Sequence, residues 1–186
     1  MSTANGRPDI LTRSGQYFDF IEPTLWNLDV EDIAHGLSQC CRFVGQCRSF
    51  YSVAQHSVYV SRCVPAADAM AGLFHDAAEA FLGDVSRPLK RLLPDYRAIE
   101  QRVERALFEK LGVPFPLPES VKRVDMQMLR AEQLALMAPH SDAWECDDHE
   151  LPLDLNGAAI VICSISPEQA FDMFMTRYDD LRDGAT

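Results

Sequence analysis

Several polar side chains fall where this sequence should be apolar, and their types suit metal chemistry. His75 and Asp76 are adjacent within Gly72-Leu73-Phe74-His75-Asp76-Ala77-Ala78-Glu79-Ala80-Phe81-Leu82-Gly83-Asp84, a run rich in small residues that reads as a helix. Glu79 lies four positions after His75 and so shares its helical face. Gly83 is a helix-ending residue, and Asp84 just beyond it can turn back toward the same spot. An imidazole and three carboxylates over a floor of Gly and Ala make a poor hydrophobic core. They make a good pocket for a divalent cation and a water.

Two more residues break an apolar stripe. His56 shares its face with Val53, Val60 and Cys63; it is either a core histidine with one hydrogen-bonded partner or a ligand. Asp125 has Val121 and Met128 as neighbours at helical spacing. A buried carboxylate without a partner is costly, so it needs a cation or hydrogen bonds; a metal is one such cation, and Lys122 or Arg123 is another. Two imidazoles (His56, His75) with two carboxylates (Asp76, Asp125) suit a first-row divalent ion and leave coordination positions free for water or phosphate. Spacing alone does not bring the four together. His35, off its helix's apolar stripe, and His140 and His149, in an acidic segment, are weaker candidates.

The elements that must position these residues are mostly helical. Residues 9–21 read as a hairpin about Ser14-Gly15. Val30, Ile33, Ala34 and Leu37 mark a helix ending near Ser38-Gln39, and residues 40–50 read as loop or short strand. Ser52-Val53-Ala54-Gln55 reads as a capping box opening a helix to about Cys63. Pro65 starts the next, expected to run through His75 to about Leu82. Asp95 is the expected N-cap of a helix with the stripe Tyr96, Ile99, Val103, Leu107 and Leu111, closed by Gly112. A proline-rich loop, a helix over about Glu119–Met137, an exposed acidic excursion over 138–159, and a last helix from Ser166-Pro167-Glu168 complete the chain. On that last helix Phe171, Phe174, Met175, Tyr178 and Leu181 share one face, read as core, with an oligomer contact as the alternative. The expected fold is mainly α with a small N-terminal β-hairpin, a single domain over 1–186 with residues 1–8 disordered.

Composition narrows the ligands. With 28 acids against 17 bases the net charge is −11, the wrong sign for a nucleic-acid polymer. A small phosphorylated substrate needs only local cations, and Arg87-Pro88-Leu89-Lys90-Arg91 could supply them. No apolar run approaches the ~18 residues of a membrane span, and the N-terminus lacks a signal-peptide core, so a cytoplasmic protein is expected. The six cysteines form no CxxC pair and read as free thiols.

The order His56, His75-Asp76, Asp125 resembles the H…HD…D signature of the HD-domain metal-dependent phosphohydrolases, with Gln55-His56-Ser57 before it and Glu79 and Gly83-Asp84 after it. The resemblance covers roughly residues 10 to 137 and implies a helical HD-domain bundle. It lies closest to bacterial 5′-deoxynucleotidases and to the small phage group that includes the dATP triphosphohydrolase. Glu31-Asp32-Ile33-Ala34, Phe50 to Ser57 and Pro88 to Tyr96 look like the phage group in particular. It implies His56, His75, Asp76 and Asp125 as ligands of a divalent metal (Zn, Mn, Co or Fe), with Glu79 and Asp84 as acid–base carboxylates. Arg42 and Phe43 would meet phosphate and base, and Lys90 and Lys122 would reach the phosphates. Phe43 departs from the Trp of those relatives. The implied reaction is cleavage of the bond between the 5′-oxygen and the α-phosphorus of a deoxynucleotide, favouring deoxyadenosine, by a homo-oligomer. Hydrolysis of a cyclic or signalling nucleotide, or nucleotide binding without catalysis, are the alternatives.

Overall fold

The chain first reverses at Gly15, whose φ of 84° suits a residue without a Cβ. Its computed structural model describes residues 7–184. Strands β1 (Asp9–Leu11) and β2 (Tyr17–Asp19) pair antiparallel with Ile10 opposite Phe18, as expected for residues 9–21. The expected disorder of residues 1–8 falls mostly outside the described residues; Arg7 pairs with Asp9 at 2.8 Å and lies 4.0 Å from the Tyr17 ring centre. Ser14 fastens the turn to the first helix, donating from N and Oγ to Asp32 at 2.8 and 2.6 Å. Phe18 then stacks on Phe81 at 3.9 Å and meets Trp26 edge-on.

Helix α1 (Val30–Gln39) is capped by Asp29, whose carboxylate accepts from the Glu31 N–H at 2.9 Å. A bridge between Cys41 and Ser52 leads into α2 (Val53–Cys63). Ser52 caps α2 by accepting from Gln55 N, but the expected box is only half made. The Gln55 amide donates instead to the Cys163 carbonyl at 2.8 Å, tying α2 to a distant segment. Residues 53–61 are all buried, because α2 packs on α1, on α3 (Ala69–Phe74), on α7 (Glu119–Leu136) and on α8 (Pro167–Arg182).

The helix expected from Pro65 to Leu82 is interrupted at the His-Asp pair. A 3₁₀ turn (Ala66–Asp68) precedes α3; after Phe74 the chain tightens before α4 (Glu79–Leu82). Ala77, Glu79 and Ala80 donate to the carbonyls three residues back, and the Gly72 carbonyl receives the His75 ring at 2.8 Å. Two glycines permit close packing. A Cβ on Gly36 would sit 2.6 Å from the Ala80 carbonyl oxygen, and one on Gly72 would sit 3.1 Å from Ser61 Cα.

Helix α5 (Arg87–Lys90) leads to α6 (Pro94–Leu111). Asp95 is not its cap: Leu93 holds that place and Asp95 lies in the first turn, where its charge still favours the helix dipole. Gly112, at φ 67°, closes α6 as expected. Ser166 and Gln169 form a reciprocal box at α8; on its apolar face Phe174 is fully buried against Phe74, while Phe171, Met175, Tyr178 and Leu181 are half-buried and pack against the core. The 138–159 excursion is only partly exposed: Cys146 is buried and Asp147 pairs with Arg130 on α7 at 2.5 Å. Among the described residues the cysteines are unpaired, and no helix is long and apolar enough to cross a membrane.

Candidate metal centre

His56, on the buried middle turns of α2, and His75, at the break after α3, face each other with Nε2 atoms 3.2 Å apart. Asp125 of α7 places Oδ1 3.2 Å from His56 Nε2. Asp76 Oδ2 lies 3.2 Å from His75 Nε2 and 3.8 Å from His56 Nε2. One atom each from His56, His75 and Asp125 falls within a mutual 4.8 Å. Neighbouring ligands around a tetrahedral ion with bonds of ~2.0–2.2 Å stand about 3.3–3.6 Å apart, so His56, His75 and Asp125 are spaced to hold one small divalent cation; Asp76 lies beside them but outside that mutual spacing.

The other ring nitrogens are committed. His75 Nδ1 bonds the Gly72 carbonyl, and His56 Nδ1 lies 2.6 Å from Glu132 Oε1. Both imidazoles therefore turn Nε2 inward, the orientation that a ligating histidine takes from its outer partner. Glu132 also accepts from Arg42 Nε at 3.0 Å, and Arg42 Nη1 lies 3.6 Å from Asp76.

Charge runs through the whole cluster. Burial disfavours a charged His56, yet Glu132 and Asp125 raise its pKa to about 9. Burial would raise Asp76, Asp125 and Glu132, but the histidines beside the first two, and Arg42 with His56 beside Glu132, hold all three carboxyls below their ordinary range. Glu79 goes the other way: burial, then the charges of Asp76 and Asp84, raise it well above a normal glutamate.

The cluster opens into a cavity of about 690 Å³ lined by Arg42, Phe43, Asp76, Glu79, Asp84, Lys90 and Asp125, among others. Lys90 Nζ lies 3.3 Å from Glu79 and 2.6 Å from Glu100, so it is engaged in holding Glu79. Asp84 accepts from the Phe43 N–H at 3.2 Å. That bond supports a strained turn: Phe43 and Val44 both sit in the left-handed region, at φ 56° and 54°. Such strain is uncommon for non-glycine residues and collects at functional sites.

Lys122 does not belong to this site. It is exposed on α7 and pairs with Glu119 at 2.6 Å: three residues before Asp125 it lies at the edge of that face, and its long side chain runs outward, away from the cavity. Arg123 is exposed too, so neither cation partners Asp125; Arg87, 3.9 Å away, is the nearer one. Sequence reasoning missed Glu132, although it lies seven residues after Asp125 on the same helical face, a signal that was available. It also passed over Trp144 and Glu145 as parts of an exposed segment, whereas both line the cavity, and Glu145 pairs with Arg87 and Arg91 across its rim.

The chain is 37% identical over 172 residues to the uncharacterized protein YfdR of Escherichia coli K12, covering 92% of this chain and 94% of that one. An uncharacterized Rhodobacter capsulatus protein is 35% identical over 138 residues, 66% of this chain and 70% of its own. No family model matches the chain. The chain belongs to the same protein family as YfdR.

Proposed function

We propose that this protein is a metal-dependent HD-type phosphohydrolase that cleaves the bond between the 5′-oxygen and the α-phosphorus of a deoxynucleotide, favouring deoxyadenosine nucleotides. One observation carries the reading: ligand atoms of His56, His75 and Asp125, one each from three separate parts of the chain, lie within 4.8 Å of one another, with Asp76 3.2 Å from His75 and each ring fixed by a partner behind it. His56, His75, Asp76 and Asp125 would hold the ion. When bound, a divalent cation supplies Lewis acidity toward a phosphoryl oxygen and lowers the pKa of water.

The remaining residues divide the work of hydrolysis. The oxygen of water bonds to phosphorus, the bond to the 5′-oxygen breaks, one proton leaves the water and one reaches the departing oxygen. Glu79 and Asp84, two carboxylates in one cavity, are placed to accept and return these protons. Burial raises Glu79 most, and the charges of Asp76 and Asp84 add to it; a cation at Asp76 would partly offset the charge contribution. Arg42, anchored by Glu132, presents its guanidinium beside Asp76, where a phosphoryl oxygen would come. Lys90 orients Glu79 and adds positive charge to the cavity wall.

The test is release of deoxyadenosine from dAMP and from dATP, with and without chelator. Activity that disappears on metal stripping and in Asp76→Ala, in a protein that still folds, supports the proposal. Undiminished activity in either condition contradicts it.

A further inference from the structure

The strained turn and the acidic excursion each bring one aromatic ring to the mouth of the same cavity. Phe43 and Trp144 both line it, with ring centres 6.2 Å apart and planes tilted by 44°. They are thus near neighbours that do not stack on one another. Each is held by its own support. Phe43 sits in the left-handed turn pinned by Asp84. Trp144 is half-buried, its ring stacked on His140 at 5.2 Å, and its backbone N–H donates to Asp147 at 2.9 Å. Asp147 in turn pairs with Arg130 of α7, and the neighbouring Cys146 is fully buried. A half-exposed tryptophan anchored this firmly, with its ring toward a cavity, is a surface prepared for a flat ligand.

We infer that Trp144 is a base-binding residue, forming with Phe43 an aromatic slot for the nucleobase of the substrate. The assignment rests on the reading of the cavity as a nucleotide site. The slot lies on the side of the cavity where Arg42 joins Phe43 to the ligand cluster, so a base there leaves its 5′-phosphate directed to Arg42 and Asp76. Stacking on an aromatic ring tolerates any base and takes its affinity from area and dispersion. The ligand class is therefore a nucleoside phosphate with a planar heteroaromatic base, and a sugar phosphate lacking the base forgoes the contribution of the slot.

Calorimetric titration in chelator, where no turnover occurs, separates the slot from the chemistry. The probes are dAMP, the monophosphates of the other three bases, and deoxyribose 5-phosphate. Trp144→Ala is expected to weaken dAMP binding by about 5- to 150-fold, the range that one stacked base supplies. Trp144→Phe should retain most of the affinity, and deoxyribose 5-phosphate should bind all three proteins equally. Tryptophan emission gives a second readout, because the only other tryptophan, Trp26, is buried against Phe18 and Phe81; dAMP should quench the wild type and not Trp144→Phe. Unchanged dAMP affinity in Trp144→Ala, equal loss for dAMP and deoxyribose 5-phosphate, or no binding of any of the four nucleotides overturns the inference. A protein that cleaves dAMP while Trp144→Ala binds it normally refutes the slot alone. One that binds dAMP through Trp144 yet never cleaves it with metal refutes the hydrolase reading alone.

Discussion

Replacing Glu132 by glutamine removes the charge at the centre of a buried chain that runs Arg42–Glu132–His56. The glutamate side chain has no exposure, nor has His56, and Arg42 keeps 11%. Its two oxygens accept from Arg42 Nε at 3.0 Å and meet His56 Nδ1 at 2.6 Å. A glutamine has one acceptor oxygen and would point its NH₂ at the other donor. Removing one member of a buried ion pair costs about 3–5 kcal/mol, because the charge left behind is uncompensated. Asp76, 3.6 Å from Arg42, still offers partial compensation, so the lower end, about 3 kcal/mol, is expected. For a domain of this size that is a fall of about 6–12 °C in Tm. The same change frees His56 Nδ1, and loss of such an outer partner lowers metal affinity by about 10- to 100-fold. Urea denaturation of chelator-treated protein measures the first effect, and competition against a metal-binding dye measures the second. Stability within about 1 kcal/mol of wild type together with unaltered metal affinity would refute the role given to Glu132.

Three further substitutions test the packing and the electrostatics around the site. Gly36→Ala places a Cβ 2.6 Å from the Ala80 carbonyl oxygen, forcing α1 and α4 apart, and should cost about 1–3 kcal/mol in thermal or urea unfolding. Val44→Asn should gain about 0.5–1 kcal/mol in the same assays, because an exposed β-branched residue at φ 54° is strained and asparagine tolerates that region. Glu104 is raised to about 7 by burial and then by the charges of Glu100 and Asp76. A carboxyl raised on folding contributes stability below its ordinary value of 4.5 that is lost as pH climbs through about 7. Glu104→Gln should therefore stabilise the protein at pH 8, on the order of 1–2 kcal/mol after allowance for its partial exposure, with the gain vanishing toward pH 4.5. A gain that is equal at both pH values would contradict that account.

Helical periodicity made most of the fold legible, because α1, α6, α7 and α8 each bury one side only. Their stripes are visible as apolar residues spaced three and four apart. α2 was legible from its cap instead, since burial on every side from Val53 to Ser61 leaves little polar face to read. The break at His75 was not legible. Nothing in Leu73-Phe74-His75-Asp76-Ala77 disfavours a helix, and the local bond from the imidazole to the Gly72 carbonyl three residues back is not signalled by residue type. His56, His75, Asp76 and Asp125 could be picked out as polar residues on or beside apolar stripes; His56, His75 and Asp125 form the cluster and Asp76 lies beside His75. Lys122 was misplaced because, three residues before Asp125, it lies near the same helical face, yet its long side chain runs outward to Glu119. Trp144 stayed hidden for the opposite reason: an acidic, turn-rich segment reads as solvent-exposed, and the Arg130–Asp147 pair, the pairs of Glu145 with Arg87 and Arg91, and buried Cys146 hold it back against the cavity.

The central claim is that His56, His75, Asp76 and Asp125 bind one divalent ion. Crystals of protein loaded with zinc or manganese, with diffraction collected across that metal's absorption edge, test it most directly. A single anomalous peak within about 2.0–2.2 Å of both Nε2 atoms and of oxygens from both aspartates is the predicted result. A well-ordered site with no peak, or a peak that leaves out His56 or Asp125, would contradict it.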